Sequence, residues 1–420
     1  MKRELNLGLI VFLLALLPRV GWIALRWAQV GPQLEFPDEQ IHWQLATNLA
    51  LNGALVTDDG RFVARMPLYP MLLAPFALWG SVGVLGAKLL QAALGAAAAW
   101  LSLRFGSAAL GRRAGVIAGI LVAIDPFGVF FSNLLLTESP FVPVIIAATA
   151  SAWYLAADPA RRDPCNTLGL SLFGVAAIFL RPASTPWVFA LWLCLVVMDR
   201  LRWRTMLRIA ICALVLALAL IPWGLRNRSV VGDFAWLSAN GGVTLYDAQG
   251  PQANGASNQS FLEEMPELRG LNELALDQRL QLRAIDQMKR DPGRVLSLAA
   301  VKFSRLWNLV PNLESYRGSA AAIANAVFTG IVLLAALIGM IRLMAGRRHI
   351  AMRNAAIGRW LVLVILPVVV FTLLHCIYIG SVRYRVPLMP FVELLAAAAF
   401  AHWAKAPGAG NDAAEPAPNG

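Results

Sequence analysis

Long apolar runs constrain this chain more than any other feature of its sequence. Of its 420 residues, 58% are hydrophobic and 14% are charged, a balance that a soluble domain cannot bury. An apolar run of roughly 17–25 residues is long enough to span a bilayer as a helix. We therefore predict an all-α polytopic membrane protein of about ten transmembrane helices, at 5–27, 81–104, 113–132, 139–157, 167–181, 184–198, 207–223, 320–343, 360–379 and 386–404. The count is least defined where Arg181-Pro182 divides one long run.

Basic residues predict the orientation of these spans. Lys and Arg outnumber Asp and Glu by 36 to 24, and they collect in the loops between alternate spans. By the positive-inside rule, these loops and both termini are cytoplasmic. The formal charge of +12 is thus explained by topology, and no nucleic-acid partner is expected. The basic clusters are Lys2-Arg3, Arg112-Arg113, Arg161-Arg162, Arg200 to Arg208 and Arg342 to Arg359.

This orientation divides the chain into four parts. The predicted outward loop 28–80 and outward segment 224–319 are the long stretches between spans, and the second is long enough for a small extracytoplasmic loop domain. The end of the chain is rich in Ala, Gly, Pro and Asn, which is typical of a disordered tail. The predicted parts are a transmembrane module at 1–223, the loop domain at 224–319, C-terminal transmembrane helices at 320–404 and a cytoplasmic tail at 405–420.

Acidic residues at the predicted outward boundary are the first functional candidates. Asp38 and Glu39 follow Pro37 at a predicted helix start, where acidic side chains also interact favourably with the helix dipole. Glu138 lies directly before the fourth predicted span, where it could equally be a first-turn acid of a helix capped by Thr137. A carboxylate here can activate a hydroxyl as general base or bind a divalent metal. His42 lies one turn after Asp38, and a structural role for it is the alternative to metal binding.

Several arginines oppose the positive-inside trend on the same side. Snorkelling or pairing with carboxylates would explain some of them. Arg383-Tyr384-Arg385 places two guanidiniums at a membrane edge, which suits them to bind a phosphate. Arg65 ranks next and Arg181 third as phosphate ligands.

Together, these motifs resemble those of the GT-C superfamily of integral-membrane glycosyltransferases, in particular the bacterial relatives of protein mannosyltransferases and of the lipid A aminoarabinose transferase. The resemblance covers nearly the whole chain. Each motif alone is short, and their order and common side of the membrane make the match specific. The motifs are Pro37-Asp38-Glu39, Arg65 with Pro67-Leu68-Tyr69-Pro70, Thr137-Glu138, and Arg383-Tyr384-Arg385-Val386-Pro387.

The resemblance implies a GT-C-like bundle in a bacterial inner (plasma) membrane and transfer of a hexose or pentose from a polyprenyl phosphate, usually with inversion. The acceptor would be a glycolipid, a polysaccharide or a protein on the extracytoplasmic face. Asp38 would act as base or orient the acceptor, with Glu39 and Glu138 in support or holding a metal. Arg385 and Arg383 would stabilise the departing phosphate, with no strong general acid required. The resemblance leaves metal dependence open and implies no other cofactor.

A polytopic transporter or lipid flippase of envelope glycolipids is the main alternative. It would explain the spans and the outward arginines, but it predicts functional charges near the bilayer midplane, often in repeated halves. Here the notable charges collect at one boundary. A non-catalytic scaffold that keeps the motifs of an enzyme is a third interpretation.

Overall fold

The computed structural model describes residues 2–158, 163–312, 318–346 and 351–401. Within these ranges the chain is all helical, with seventeen α-helices and no strand, so the predicted all-α class is confirmed. The predicted tail at 405–420 and the basic pair Arg161-Arg162 lie outside the described residues. The helices are α1 (Lys2–Val30), α2 (Pro37–Asn52), α3 (Leu68–Ala77), α4 (Gly80–Leu110), α5 (Arg112–Ile124), α6 (Pro126–Phe131), α7 (Glu138–Ala157), α8 (Pro164–Leu180), α9 (Thr185–Met198), α10 (Trp203–Val231), α11 (Gly241–Gln249), α12 (Phe261–Glu264), α13 (Glu273–Arg290), α14 (Pro292–Leu306), α15 (Ala320–Gly346), α16 (Ala351–Ile377) and α17 (Met389–Ala398).

Six of these helices, rather than about ten, are long and apolar enough to cross a membrane by themselves. They are Asn6–Val30, Gly80–Leu110, Glu138–Ala157, Trp203–Val231, Ala320–Ala345 and Ala355–Ile377. The other predicted spans are divided or shortened by proline. Pro126 separates α5 from α6, and Arg181-Pro182 separates α8 from a 3-10 turn that leads into α9. The run 386–404 begins in a 3-10 helix, so α17 has ten residues.

Small residues let the bundle helices approach closely. A Cβ atom on Gly115 of α5 would lie 2.5 Å from the carbonyl oxygen of Leu103 on α4. A Cβ atom on Gly339 of α15 would lie 1.9 Å from the carbonyl oxygen of Leu395 on α17. Helices in lipid associate through such van der Waals contacts because lipid offers no hydrophobic driving force between them. Larger side chains at these positions would separate the helices that support the candidate site.

The predicted outward segments lie against each other at one end of the bundle. Helices α11 and α13 enclose a second apolar core, and the Asp277 carboxylate accepts the backbone N–H groups of Gly242 (2.7 Å) and Val243 (3.1 Å) at the start of α11. Helix α2 lies at the same end, beside the turn that precedes α7. We call this end of the bundle the Asp38 end. The core residues are Val243, Leu245, Tyr246, Phe261, Leu268, Leu280 and Ala284.

Candidate active site

The start of α2 directs its two acidic side chains toward different partners. Pro37 occupies the first helical position, as its fixed φ favours, and Asp38 and Glu39 follow in the first turn. Adjacent helical residues lie about 100° apart around the axis, so they cannot face the same partner. The Asp38 side chain therefore lies partly exposed, whereas that of Glu39 faces the protein interior and is fully buried.

Glu39 joins α2 to the turn before α7. One carboxylate oxygen accepts the backbone N–H of Leu135 at 2.7 Å, and the other accepts those of Glu35 (2.9 Å) and Phe36 (3.0 Å). Burial raises the pKa of Glu39, although these backbone donors oppose the rise. Because its oxygens are engaged by the backbone, Glu39 is placed to position α2 rather than to contact a substrate.

Asp38 belongs to a cluster of two carboxylates and three arginines. Its oxygens contact the guanidinium of Arg65 at 2.9 Å and that of Arg383 at 2.7 Å. The Nε of Arg383 donates to Glu138 at 2.6 Å, and Arg181 approaches the same Glu138 oxygen at 3.6 Å. We call these five residues the carboxylate–arginine cluster. The structure thus brings together residues that are distant in sequence and that the sequence had each suggested separately.

Electrostatics in this cluster favour the ionised form of Asp38. Burial would raise the pKa of Asp38, but the charges of Arg383 and Arg65 outweigh it and hold that pKa well below its usual range. Burial would likewise lower the pKa of Arg383, but Glu138 and Asp38 raise it above its usual value. Glu138 is fully buried, and its second oxygen has no hydrogen-bond partner among the described residues. Asp38 is therefore a weak proton acceptor while both of its arginine contacts persist.

Aromatic rings fix the third arginine of the cluster. The guanidinium carbon of Arg181 lies 5.5 Å from the ring centres of both Phe141 and Tyr384. The ring of Tyr384 stacks in turn on His375, with centroids 4.2 Å apart and planes 8° from parallel. Such cation–π contacts hold a guanidinium without neutralising it. Arg181 is therefore held beside Glu138 by two rings as well as by the carboxylate.

Arg385 lies elsewhere, although the sequence had suggested it as the foremost phosphate ligand. It is buried, its Nη1 donates to the carbonyl oxygen of Asn308 at 2.6 Å, and its guanidinium lies over the ring of Phe127 at 5.9 Å. Residues 382–388 form a 3-10 helix, in which each residue turns about 120°. Residues two apart, such as Arg383 and Arg385, consequently point to different sides. The structure brings Arg383 to the cluster and leaves Arg385 in the interior.

The candidate metal ligands do not form a metal cluster in this arrangement. Among the described residues, no three His, Cys, Asp or Glu side chains come close enough to hold an ion together. Arg383 stands between Asp38 and Glu138, so its guanidinium occupies the place where a shared cation would bind. His42 is buried against Tyr69, with ring centroids 4.8 Å apart, and burial followed by the charge of Arg65 lowers its pKa to about 3. The residues therefore do not fit a divalent metal here, and His42 is neutral.

Two contacts that sequence patterns did not indicate hold the loop that carries Arg65. The Glu273 carboxylate, at the start of α13, accepts the N–H groups of Phe62 (2.8 Å) and Val63 (3.0 Å). Arg226 of α10 donates to the carbonyl oxygens of Leu55 and Phe62, each at 2.6 Å. Both partners are more than 160 residues away from the loop in sequence. No local pattern could have indicated them.

Two buried polar side chains beneath α2 were also missed from the sequence. Lys88 of α4 is buried, and its ammonium group donates to the side chain of Asn133 at 3.3 Å. Gln91, one turn later, accepts the Tyr69 hydroxyl at 3.2 Å and donates to the Leu134 carbonyl. A lysine and a glutamine inside the apolar run 81–104 were the available signal, since ionisable residues in spans are functional candidates by default.

Comparison with solved structures identifies the fold. The apo oligosaccharyltransferase of Archaeoglobus fulgidus matches over 93% of this chain, at 13% identity and a TM-score of 0.57. The same enzyme, AglB, in complex with an inhibitory peptide and a dolichol-phosphate matches over 94%, at 13% identity and a TM-score of 0.56. This chain shares the fold of that oligosaccharyltransferase. It spans about half the length of AglB, since each alignment covers 50% of that chain.

ArnT from Cupriavidus metallidurans bound to undecaprenyl phosphate is a weaker neighbour, with a TM-score of 0.44, 14% identity, and coverage of 95% of this chain and 77% of that one. No family model matches the chain, and no curated protein is similar to it in sequence. The predicted resemblance is confirmed at the level of the fold by the two oligosaccharyltransferase structures. At these identities the likeness concerns the fold, so the activity of this chain is argued from its own residues.

Proposed function

We propose that this chain is a membrane glycosyltransferase that moves a sugar from a polyprenyl phosphate to an acceptor hydroxyl on the extracytoplasmic face of the plasma membrane. In this proposal the displacement inverts the anomeric carbon. Asp38 acts on the acceptor, Glu138 orients Arg383, and the cluster arginines hold the phosphate. The sugar is a hexose or pentose, and the acceptor is a glycolipid, a polysaccharide or a protein.

The convergence of Asp38, Glu138, Arg65, Arg181 and Arg383 at one end of an apolar bundle carries the proposal. Inverting transfer from a polyprenyl phosphate needs a carboxylate near the attacking hydroxyl and cations where the phosphate departs. The cluster contains both within hydrogen-bonding distance of each other. AglB, which shares the fold, has been solved with a dolichol-phosphate, so the fold is compatible with such a donor.

The arginines would stabilise charge as the sugar–phosphate bond breaks. Arg383 is anchored through its Nε by the buried Glu138, which leaves its Nη1 to contact Asp38 or a ligand. Arg181 is held over two rings beside Glu138. Preorganised cations of this kind act mainly on the transition state, where negative charge develops on the leaving oxygen. A polyprenyl phosphate whose negative charge is balanced by these arginines can leave without a proton from a strong general acid.

The ion pairs of Asp38 imply an order of events. Both of its oxygens are occupied by Arg65 and Arg383, which lower its pKa and make it a weak base. A donor phosphate would compete for the same guanidinium groups. As those contacts are exchanged, the carboxylate regains basicity and can accept a hydrogen bond, and then a proton, from the acceptor hydroxyl. The donor would accordingly bind before the acceptor is activated.

The test uses the purified full chain in proteoliposomes with polyprenyl-linked sugars extracted from cells that lack it. We expect Asp38→Asn to reduce glycosidic product by about 10²–10⁴-fold, the usual contribution of a positioned general base. Binding of undecaprenyl phosphate should be retained or tightened in this variant, since a competing carboxylate charge is removed. Asp59→Asn is the matched control, because Asp59 is an exposed carboxylate of the same loop region.

Two outcomes would contradict the proposal. Unchanged sugar transfer by Asp38→Asn would refute the catalytic role of Asp38. Movement of the lipid-linked sugar across the vesicle membrane without any glycosidic product would identify a transporter instead.

A further inference from the structure

Helix α14 carries two different faces, one packed on the bundle and one exposed. Leu298, Lys302 and Leu306 recur every four residues, are buried and face the bundle. Leu296 and Phe303 lie on the opposite side with exposed fractions of 74% and 50%. Phe303 therefore points away from the bundle. The helix is capped by Asp291, whose side chain accepts the N–H of Arg294 at 2.9 Å.

The exposed residues of α14 form a regular apolar stripe. Leu296, Ala300 and Phe303 have the spacing i, i+4 and i+7, which places them on one side of a helix, and all three are exposed. Ser297 and Ser304 lie at the edge of the stripe, and they are exposed as well. A helix that exposes an apolar stripe with polar edges has the pattern of an interfacial helix.

Contacts with α16 fix the height of α14 relative to the membrane. The Lys302 ammonium group donates to the carbonyl oxygen of Ile377 at 2.8 Å, and Ile377 ends the candidate span 355–377. Arg305 donates to the carbonyl oxygen of Gly380 at 3.2 Å. The indole N–H of Trp307 donates to the Thr372 hydroxyl at 3.3 Å, below the end of the same span. Helix α14 is thereby bound along the last turns of a membrane-spanning helix.

Other exposed aromatic residues mark the same level at the Asp38 end. At the end of the spanning helix α10, the rings of Phe234 and Trp236 stack with centroids 5.4 Å apart, and both are exposed. The guanidinium of Arg228 lies 4.9 Å from the Phe234 ring centre. Trp79, just before the spanning helix α4, is exposed too. Aromatic side chains beside arginine are typical of the boundary between hydrocarbon and headgroups.

We propose that α14 lies in the lipid–water interface at the Asp38 end, with the stripe of Leu296, Ala300 and Phe303 inserted into the outer part of the hydrocarbon. The occupant of this face is the bilayer itself. Lys302 neutralises the terminal carbonyl of α16 from the buried face, and the serines at the edge of the stripe face the headgroups. This docking fixes the Asp38 end at the membrane surface, where a lipid-borne substrate has its polar group.

Spin labelling of the full chain in liposomes tests the proposal independently of enzymatic activity. Single cysteines replace the stripe residues one at a time (Leu296→Cys, Ala300→Cys, Phe303→Cys), in a background where the incompletely buried native cysteines Cys165, Cys194 and Cys376 are serine. Collision with oxygen, which partitions into lipid, is compared with collision with a water-soluble nickel complex. Gln278→Cys, on the exposed face of α13, is the control.

We expect an oxygen-to-nickel accessibility ratio severalfold higher at all three stripe positions than at position 278. A ratio equal to the control would place the stripe in water and overturn the proposal. Exclusion of both reagents would show that protein covers the stripe, such as a second copy of the chain, and would overturn it equally. Three independent positions keep the result interpretable if one labelled variant does not fold.

Discussion

Removal of the Arg383 charge is the most direct test of how the cluster is held together. Arg383→Met keeps a long side chain but deletes the guanidinium that joins Asp38 to Glu138. Glu138 is fully buried, so its carboxylate would lose a 2.6 Å contact with no access to water. Breaking one partner of a buried ion pair typically costs about 3–5 kcal/mol.

The remaining contacts place the expected loss at the lower end of this range. Arg181 stays 3.6 Å from the same Glu138 oxygen and partly compensates its charge. The Asp38 side chain is 35% exposed and keeps Arg65, so its share of the loss is small. We therefore expect Arg383→Met to lower the free energy of unfolding by about 3 kcal/mol.

Equilibrium unfolding in mixed detergent micelles measures this loss. Arg61→Met is the matched control, because its ion pair with Asp59 is exposed and such pairs contribute about 0–1 kcal/mol. The double variant with Glu138→Gln should be less destabilised than the sum of its parts, with a coupling of about 1–3 kcal/mol. Equal losses for Arg383→Met and Arg61→Met, or additive effects in the double variant, would refute the assignment of a buried, coupled cluster.

Three further predictions concern single residues. Between pH 7 and pH 5 the wild type should lose about 2 kcal/mol of stability relative to His42→Gln. The folded imidazole of His42 stays neutral over this range, whereas the unfolded imidazole, with a pKa near 6.5, gains a proton. Parallel curves of unfolding free energy against pH for the two proteins would contradict this prediction. Glu273→Gln should weaken the two charge-assisted hydrogen bonds from Phe62 and Val63. Amide hydrogen exchange at Val63 should then be severalfold faster, while exchange in α7 stays the same. Unchanged exchange at Val63 would show that Glu273 does not hold the loop. Arg385→Lys should reduce stability yet leave undecaprenyl phosphate affinity within about twofold, because Arg385 contacts the Asn308 carbonyl in the interior. A tenfold or larger loss of that affinity would return Arg385 to the phosphate site.

The sequence by itself determined the class of protein and indicated all five members of the carboxylate–arginine cluster. Apolar runs predicted a membrane bundle because only a helix satisfies its own backbone in lipid. Asp38, Glu138 and Arg383 could be found because a charge beside an apolar run is costly, and such a cost indicates a role. Pro37 fixed the start of α2, and Asp291 fixed the start of α14, since both effects act within one turn.

The tertiary structure decided which of these charges meet. Asp38 and Glu39 are neighbours in sequence, yet one turns to the arginines and the other to the backbone near α7. Arg383 and Arg385 were separated by the tight turn of a 3-10 helix. The hydrogen bonds of Glu273 with the loop carrying Arg65 join residues that are 210 and 211 positions apart in sequence. Local patterns encode what happens within a turn or two of the chain, whereas a shared site depends on helix rotation and packing, which only the folded bundle fixes.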